Sequence, residues 1–252
     1  MTPLAFRICA LVAFCALSFQ AQPFQVQPGA PTGLEVASPK PLALTGFPFT
    51  DEDLNYSVNW PTGINLGEAH LHAKHSGINW NFGFTLDAGI PGFQVKDIYR
   101  ADSLPDFCSV SFDRSTTHGP RTVDEKETID SSRGISTRVT KNGGRSDLPV
   151  PNCVKDALTY LFYTREELGQ GRVPAAQQIL YGGLYQMSLA YAGAPVIPVG
   201  AMQVQSDEVL CTVKGPASLL TFEMYFARDP ARSPLLIKAP FALGTFSMEL
   251  IR

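Results

Sequence analysis

The chain has 252 residues, a formal net charge of −3 and only 17% charged side chains. This balance, with no basic patch interleaved with aromatics, argues against nucleic acid or another polyanion as partner. The length suits one large β domain, since all-β sandwiches and barrels often run to roughly 200–250 residues as single units.

The chain opens with one early cation, Arg7, followed by an uncharged apolar run from Ile8 to Leu17. That is the layout of a secretory signal peptide, and it falls short of the roughly 20 residues a membrane helix needs. A cut after Ser18 has small residues, Ala16 and Ser18, in the recognition positions. A cut after Ala21 substitutes Phe19 for Ala16 and fits less well; the segment is assigned to residues 1–21. A lipid anchor at Cys15 is disfavoured because Phe14 stands where a small residue belongs. An uncleaved amphipathic helix is the weaker alternative, because the run is apolar on every side. No later apolar run reaches membrane-spanning length, so no transmembrane helix is expected in the mature chain. The expected location is the periplasm or cell envelope.

Residues 22–45 are rich in Pro, Gln and Gly and read as a flexible lead-in to a single domain over 46–252. Strands then follow with a two-residue period. Leu54, Tyr56, Val58 and Trp60 share a face, as do Gly67, Ala69, Leu71 and Ala73. Trp80, Phe82, Phe84, Leu86 and Ala88 form a third set. Turn residues separate them: Pro61-Thr62-Gly63, Ser76-Gly77 and Gly89 to Gly92. Further strands are expected near 94–101, 107–114, 121–130 and 133–141. The last two carry Asp124, Glu125, Lys126, Glu127, Arg133, Arg138 and Lys141 and read as a projecting or edge hairpin.

One helix is expected in the mature chain, from Asn152 to about Arg165. Asn152 would cap it, Asp156 would sit in an early turn, and Val154, Leu158, Leu161 and Phe162 would form its apolar stripe. Alternation resumes in Tyr185, Met187, Leu189 and Tyr191, then in Leu220, Phe222, Met224 and Phe226, and finally in Phe246, Met248 and Leu250. About a dozen antiparallel strands exceed what a flat sheet tolerates. The fold class is therefore all-β with one short helix, a strongly curved antiparallel sheet forming a barrel or half-barrel.

Of the five cysteines, Cys9 and Cys15 fall in the leader. Cys211, between Val209 and Val213, reads as a small buried hydrophobe. Cys108 and Cys153 flank polar connections and are the better disulfide pair; three reduced thiols are the alternative.

Several segments together resemble the family called domain of unknown function 3108. They are Asp156 to Arg165, Phe226 to Leu235, Gly244 near the terminus, and the upstream runs Leu54 to Val58 and Gly67 to Leu71. The similarity spans roughly 50–251. It implies an exported, β-rich protein without an established activity, and it brings no catalytic residues.

Candidate chemistry is sparse. His70-Leu71-His72-Ala73-Lys74-His75 has Lys74 where a metal-hydrolase motif needs an Asp, so a solvated strand face is preferred to a metal site. Asp51, Glu52 and Asp53 read as a solvated entry loop, and Glu125 with Glu127 as a surface ion ladder. Asp229 and Arg232 read as turn geometry with a local ion pair, and Asp156 with Arg165 as residues orienting the helix. Asn142-Gly143-Gly144 lacks the following apolar helix of a phosphate cradle. No catalytic residue, metal or cofactor is therefore expected. The aromatic faces offer an alternative to chemistry: Trp60, Trp80, Phe82, Phe84, Phe222 and Phe226 would line an apolar cavity for a lipid or other apolar small molecule. The same side chains could instead fill a dry core. The expected function is a non-enzymatic envelope protein that holds such a ligand. The alternatives are an assembly factor using the polar 121–141 hairpin and, less favoured, a hydrolase using His70 and His72.

Overall fold

A computed structural model of the chain describes residues 39–44, 50–90, 92–216, 218–241 and 244–251. The leader and most of the lead-in lie outside the described residues. The first eight strands in chain order are β1 (Glu52–Asn59), β2 (Asn65–Ser76), β3 (Asn79–Ile90), β4 (Phe93–Ser103), β5 (Ser109–His118), β6 (Arg121–Asp130), β7 (Ile135–Thr140) and β8 (Arg145–Pro149). A two-residue strand β9 (Lys155–Asp156) leads into the helix α1 (Ala157–Gly169). Then come β10 (Gln177–Leu180), β11 (Leu184–Gly193), β12 (Val196–Val199), β13 (Met202–Lys214), β14 (Leu219–Ala227), β15 (Pro234–Phe241) and β16 (Gly244–Leu250).

All these strands join one sheet in the order β8-β7-β6-β5-β4-β3-β2-β1-β16-β15-β14-β13-β11-β10-β9, with β12 paired to β13. Every pairing is antiparallel except that of β9 with β10. The first and last strands of the domain therefore meet in mid-sheet, with Tyr56 opposite Leu250. That pairing protects both chain ends of the sheet and leaves β8 and β9 as its edges.

Each strand is rotated by roughly 20–25° from its neighbour, so a sheet this wide coils. Its far end tucks against the concave face of its near end. The turn between β10 and β11 makes the contact: Tyr181 shares a hydrogen bond of 2.8 Å with the Tyr99 hydroxyl, and Arg138 donates to the Gly182 carbonyl at 2.6 Å. The sheet is not closed. The segment leading into the β9 edge is instead tied to the start of β5 by a Cys108–Cys153 disulfide and by the Ser109 N–H, which donates to the Val154 carbonyl at 3.0 Å.

The inward alternation places Tyr56, Ala69, Leu71, Phe82 and Phe112 in the core, all nearly or fully buried. Two glycines allow the strands to pack. A Cβ on Gly67, at φ 155°, would sit 2.0 Å from the Asp87 carbonyl, and one on Gly83 would strike the His72 ring.

Helix α1 packs against the sheet as expected, lying in the concavity of its inner face and touching both arms of it. Leu158 and Phe162 pack among β1–β5, with Phe162 stacked on Phe82 at 4.0 Å between centroids. Tyr160 and Leu168 pack among β10, β11, β13 and β14. Leu161 touches both clusters. The helix starts later than its periodicity implied. Cys153 is held at φ 53° beside the disulfide, and β9 is extended, so Asn152 cannot cap. Asp156 is the cap instead: its carboxylate accepts from the Leu158 and Thr159 N–H groups at 2.8 and 2.9 Å. Val154 leaves the helical stripe and packs with Ile129, Val150 and Leu180.

Two further expectations are corrected. The 121–141 hairpin does not project; β6 and β7 are paired on both sides within the sheet. Glu125 and Glu127 face its concave side, where Glu127 is only 3% exposed. Residues 39–44 of the lead-in are docked, with the Leu44 N–H donating to the Gly169 carbonyl at 2.8 Å.

Candidate functional site

Between α1 and the inner sheet lies an apolar groove made of two adjoining cavities. The larger, of about 500 Å³, runs from Tyr160, Leu161 and Thr164 of the helix to Ile179, Tyr185, Met187, Leu189, Cys211, Leu220, Phe222 and Met224 of β10–β14. The smaller, of about 290 Å³, is walled by Leu71, Phe84, Tyr99, Phe112, Leu158 and Met248. Ala157, Leu161, Tyr181 and Ile237 belong to both, so the helix and the β10–β11 turn form the neck between them. No acidic or basic side chain lines either cavity. The groove falls within the size range of small-molecule sites.

The residues expected to line a cavity divide. Phe84 lines the smaller cavity and Phe222 the larger. Trp80, Phe82 and Phe226 fill the packed core, and Trp60 lies past the end of β1 with its ring 4.9 Å from Phe246. Sequence reading missed Tyr160, Leu161, Tyr181 and Ile237 as lining residues. The face Tyr185-Met187-Leu189 carried a signal in its alternation, whereas Tyr181 sits in a turn and has none.

The polar groups inside are mostly committed. The Cys211 thiol approaches the Val209 carbonyl at 3.9 Å, and burial pushes its pKa up to about 12, so it stays a neutral, unreactive thiol. Thr164 donates to the Tyr160 carbonyl at 2.9 Å. Tyr99 donates to Asp97 at 3.0 Å, and His118 contacts the other oxygen of that carboxylate at 2.8 Å. The Tyr160 hydroxyl is sealed within the wall: the residue is 3% exposed, and the oxygen itself has almost no accessible surface. Its pKa is raised, by burial first and then by Cys211 and Tyr163, with Thr164 opposing.

Charged groups hold the groove in shape. At one end, Arg114 bonds Glu125 at 2.6 Å and lies 4.5 Å over the Tyr181 ring, with Arg138 3.7 Å from Glu125. Burial lifts the neighbouring Glu127 carboxyl from 4.5 to about 7 against the pull of Arg114 and Arg138. Elsewhere Arg165 bonds both carboxylate oxygens of Glu52 and donates to the Ala231 carbonyl at 2.8 and 3.1 Å. Arg232, fully buried at φ 49°, pairs with Asp207 and the Leu42 carbonyl. Glu52 is thus not a solvated entry residue, and Arg232 is not an exposed turn residue. The expected turn at Asp229 is present, its backbone carbonyl accepting the Arg232 N–H.

The histidines are dispersed. His70 contacts Asn55 at 2.6 Å, His75 contacts Asp51 at 2.9 Å, and His72 lies across Gly83. Asp106, Cys108 and Cys153 bring three ligand-type atoms within 4.8 Å of one another, but both sulfurs are consumed by the disulfide. A polar depression of about 540 Å³ over β2–β4 contains Glu68, His70, Asp87 and Lys96. There Lys96 pairs with Asp87 at 3.6 Å, and His70 lies 4.0 Å from Glu68. Such exposed pairs are an ordinary solvated sheet surface.

A family profile described as a protein of unknown function (DUF3108) matches residues 55–251. The chain belongs to that family. The match covers every strand but the start of β1, as well as the helix and all the groove-lining residues. Among solved structures, a β-barrel-like DUF1849 protein from Brucella abortus superposes with a TM-score of 0.57 at 8% identity, over 80% of this chain and 96% of that one. It shows that the DUF3108 chain shares a β-barrel-like fold. A "putative lipoprotein" from Parabacteroides distasonis aligns over 81% of this chain and 95% of its own, at 8% identity and a TM-score of 0.31. A comparison with curated proteins found no match. No helix among the described residues is long and apolar enough to cross a membrane.

Proposed function

We propose that this DUF3108 protein is an exported cell-envelope protein that binds an apolar ligand, a lipid or similar small molecule, between its helix and its coiled sheet, and that it acts by binding rather than catalysis. The observation that carries the reading is the groove itself: two adjoining cavities of about 500 and 290 Å³ with no charged side chain in their lining. A groove of this size that opens to solvent and is walled almost wholly by apolar side chains leaves apolar surface to be covered, and an apolar guest would cover it. The inert state of Cys211, the one thiol in the lining, supports binding over nucleophilic chemistry. Export is supported by the apolar run from Ile8 to Leu17 and by the Cys108–Cys153 disulfide, a bond that persists in oxidising compartments.

The test is to purify the protein from its native envelope under mild conditions and weigh it intact by native mass spectrometry, then to titrate the stripped protein with the neutral fluorophore N-phenyl-1-naphthylamine. A co-purifying small molecule, or saturable uptake near one probe per chain, is expected. A protein that carries nothing and leaves the fluorophore dark would refute the proposal.

A further inference from the structure

We infer that one end of the sheet docks on an anionic phospholipid bilayer, its apolar turn tips entering the headgroup layer and its cations facing the phosphates. The inference goes beyond the binding of a guest in the groove and stands on a different surface.

The strand register puts the turns β1–β2, β3–β4, β5–β6, β7–β8, β10–β11, β13–β14 and β15–β16 at the same end of the sheet. Gly67 lies opposite Ala88, Val95 opposite His118, and Gln186 opposite Lys214. Neighbouring turns touch. A Cβ on Gly119 would meet the Phe93 ring at 2.7 Å, and one on Gly244 would meet Pro61 at 2.6 Å. The bond from Arg138 to Gly182 brings the β10–β11 turn round to the opposite arm, so the tips form a rim. Ile64, Leu219 and Phe241 on this rim are each more than half exposed, and Phe93 nearly so. Phe241 also stands 5.5 Å from Phe246, which meets Trp60 at 4.9 Å. By alternation Phe93 and Phe241 continue the concave faces of β4 and β15, so these rings border the mouth of the concavity. The larger cavity reaches the same end, its lining running out to the exposed Ser218 of the β13–β14 turn.

Exposed apolar residues are ordinary when scattered singly. What sets this end apart is their company. Arg121, Lys141, Arg145 and Lys214 are exposed in or beside these turns. Residues 60–64, 90–93, 119–121, 141–145, 181–183, 214–219 and 241–244 include no Asp or Glu. The nearest carboxylates, Glu68, Asp87, Asp124 and Asp147, sit back within the strands. Arg145 pairs loosely with Asp147 at 3.8 Å, whereas Arg121, Lys141 and Lys214 stand in no ion pair among the described residues. The opposite end also exposes Ile78 and Leu104, but its turns carry Asp106 and Asp229, which an anionic surface would repel. The chain's net charge of −3 conceals this asymmetry, because the four cations come from turns far apart in sequence. Aromatic and aliphatic tips at headgroup depth, ringed by Lys and Arg, are complementary to a leaflet of anionic lipid.

The test sediments protein purified from its native envelope with vesicles of phosphatidylcholine alone and of an equal mixture with phosphatidylglycerol. Any apolar segment outside the rim is common to parent and variants, so comparing them isolates the rim. The parent should bind the anionic vesicles at least about tenfold more tightly than the neutral ones, and less so in high salt, since each cation near such a surface is worth a factor of about five. R121E/K141E/K214E should remove that preference. L219S/F241S should weaken binding to the anionic vesicles by about tenfold or more. I78S/R133E, at the opposite end, should bind as the parent does. All these side chains are exposed, so the variants should melt with the parent. Failure to sediment with either vesicle, equal binding to both, or a charge variant with the parent's affinity overturns the inference. So does an equal loss in I78S/R133E, or full binding by L219S/F241S, which would reduce the contact to plain electrostatic adsorption. A protein that takes up no N-phenyl-1-naphthylamine in solution but sediments as expected would refute the ligand reading and leave this one standing.

Discussion

Arg165 near the end of α1 and Glu52 at the start of β1 form a two-pronged ion pair with the arginine 1% exposed and the glutamate 15% exposed. The same guanidinium donates to the Ala231 carbonyl in the turn before β15. One side chain thus locks together the helix, the first strand and the turn after β14. Buried pairs of this kind are expensive to break singly, because the surviving charge is stranded. Glu52→Ala should therefore cost about 3–5 kcal/mol, and Arg165→Ala a similar amount. The double variant should cost clearly less than the sum, which a urea-denaturation cycle measures; strict additivity would show that the two groups do not interact.

The disulfide ties β5 to the segment before the helix across a separation of 45 residues. By the chain-entropy argument its loss should lower stability by about 2–4 kcal/mol. In a chain lacking residues 1–21, a thiol reagent should find no reactive thiol in the native state, since Cys211 is buried and neutral. Unfolding without reductant should expose one, and unfolding with reductant three. Rapid native labelling of Cys211 would contradict the packing described for the larger cavity.

Glu127 supplies a pH dependence. Its carboxyl titrates at about 7 in the fold against an ordinary value of 4.5, with burial the main cause. A group whose folded pKa is raised favours the fold while protonated, so its contribution is whole below pH 4.5 and is lost as pH rises through 7. Relaxation around the ionised carboxylate, with Arg114 and Arg138 nearby, offsets part of the burial, and the loss should be about 1–2 kcal/mol rather than the full shift. Glu127→Gln keeps the shape and removes the titration. Urea unfolding of parent and variant at pH 4.5 and pH 8 should show the parent losing that amount relative to E127Q. Parallel profiles would mean that Glu127 is an ordinary exposed carboxylate.

How much of this was legible in the residues depends on whether a feature is periodic. Tyr56, Ala69, Leu71 and Phe82 alternate with polar neighbours, and the two-residue rhythm alone places each on the buried face. The start of the helix was not legible, because Asn152 is as good a cap as Asp156 by residue type. Only the disulfide at Cys153 and the pairing of Asp156 with Leu180 select the later one. Glu127 was misread for a related reason. A charged residue in an alternating hairpin is normally turned to water, and what turned this one inward was the coiling that brings the β10–β11 turn opposite it. The groove was half legible. Phe84 and Phe222 sit on apolar faces, but so do Phe82 and Phe226, and which of these borders empty space depends on where the helix lies.

Leu161 offers the sharpest handle on that space. It is partly buried, packs against both core clusters and lines both cavities at the neck between them. In a fully packed core, replacing leucine by tryptophan would force off-rotamer side chains and cost about 1–3 kcal/mol. Here the added ring has a cavity of about 290 Å³ on one side and of about 500 Å³ on the other. Leu161→Trp should therefore fold with a stability change of less than about 1 kcal/mol, gaining contacts where none existed. It should also block the groove, and uptake of N-phenyl-1-naphthylamine should fall at least tenfold. Leu161→Ala makes the opposite change: it enlarges the neck, should cost about 2–3 kcal/mol, and should retain uptake. Thermal melts of both variants separate the effect on the fold from the effect on binding. A tryptophan variant that binds the probe as the parent does would place the binding site elsewhere on the molecule.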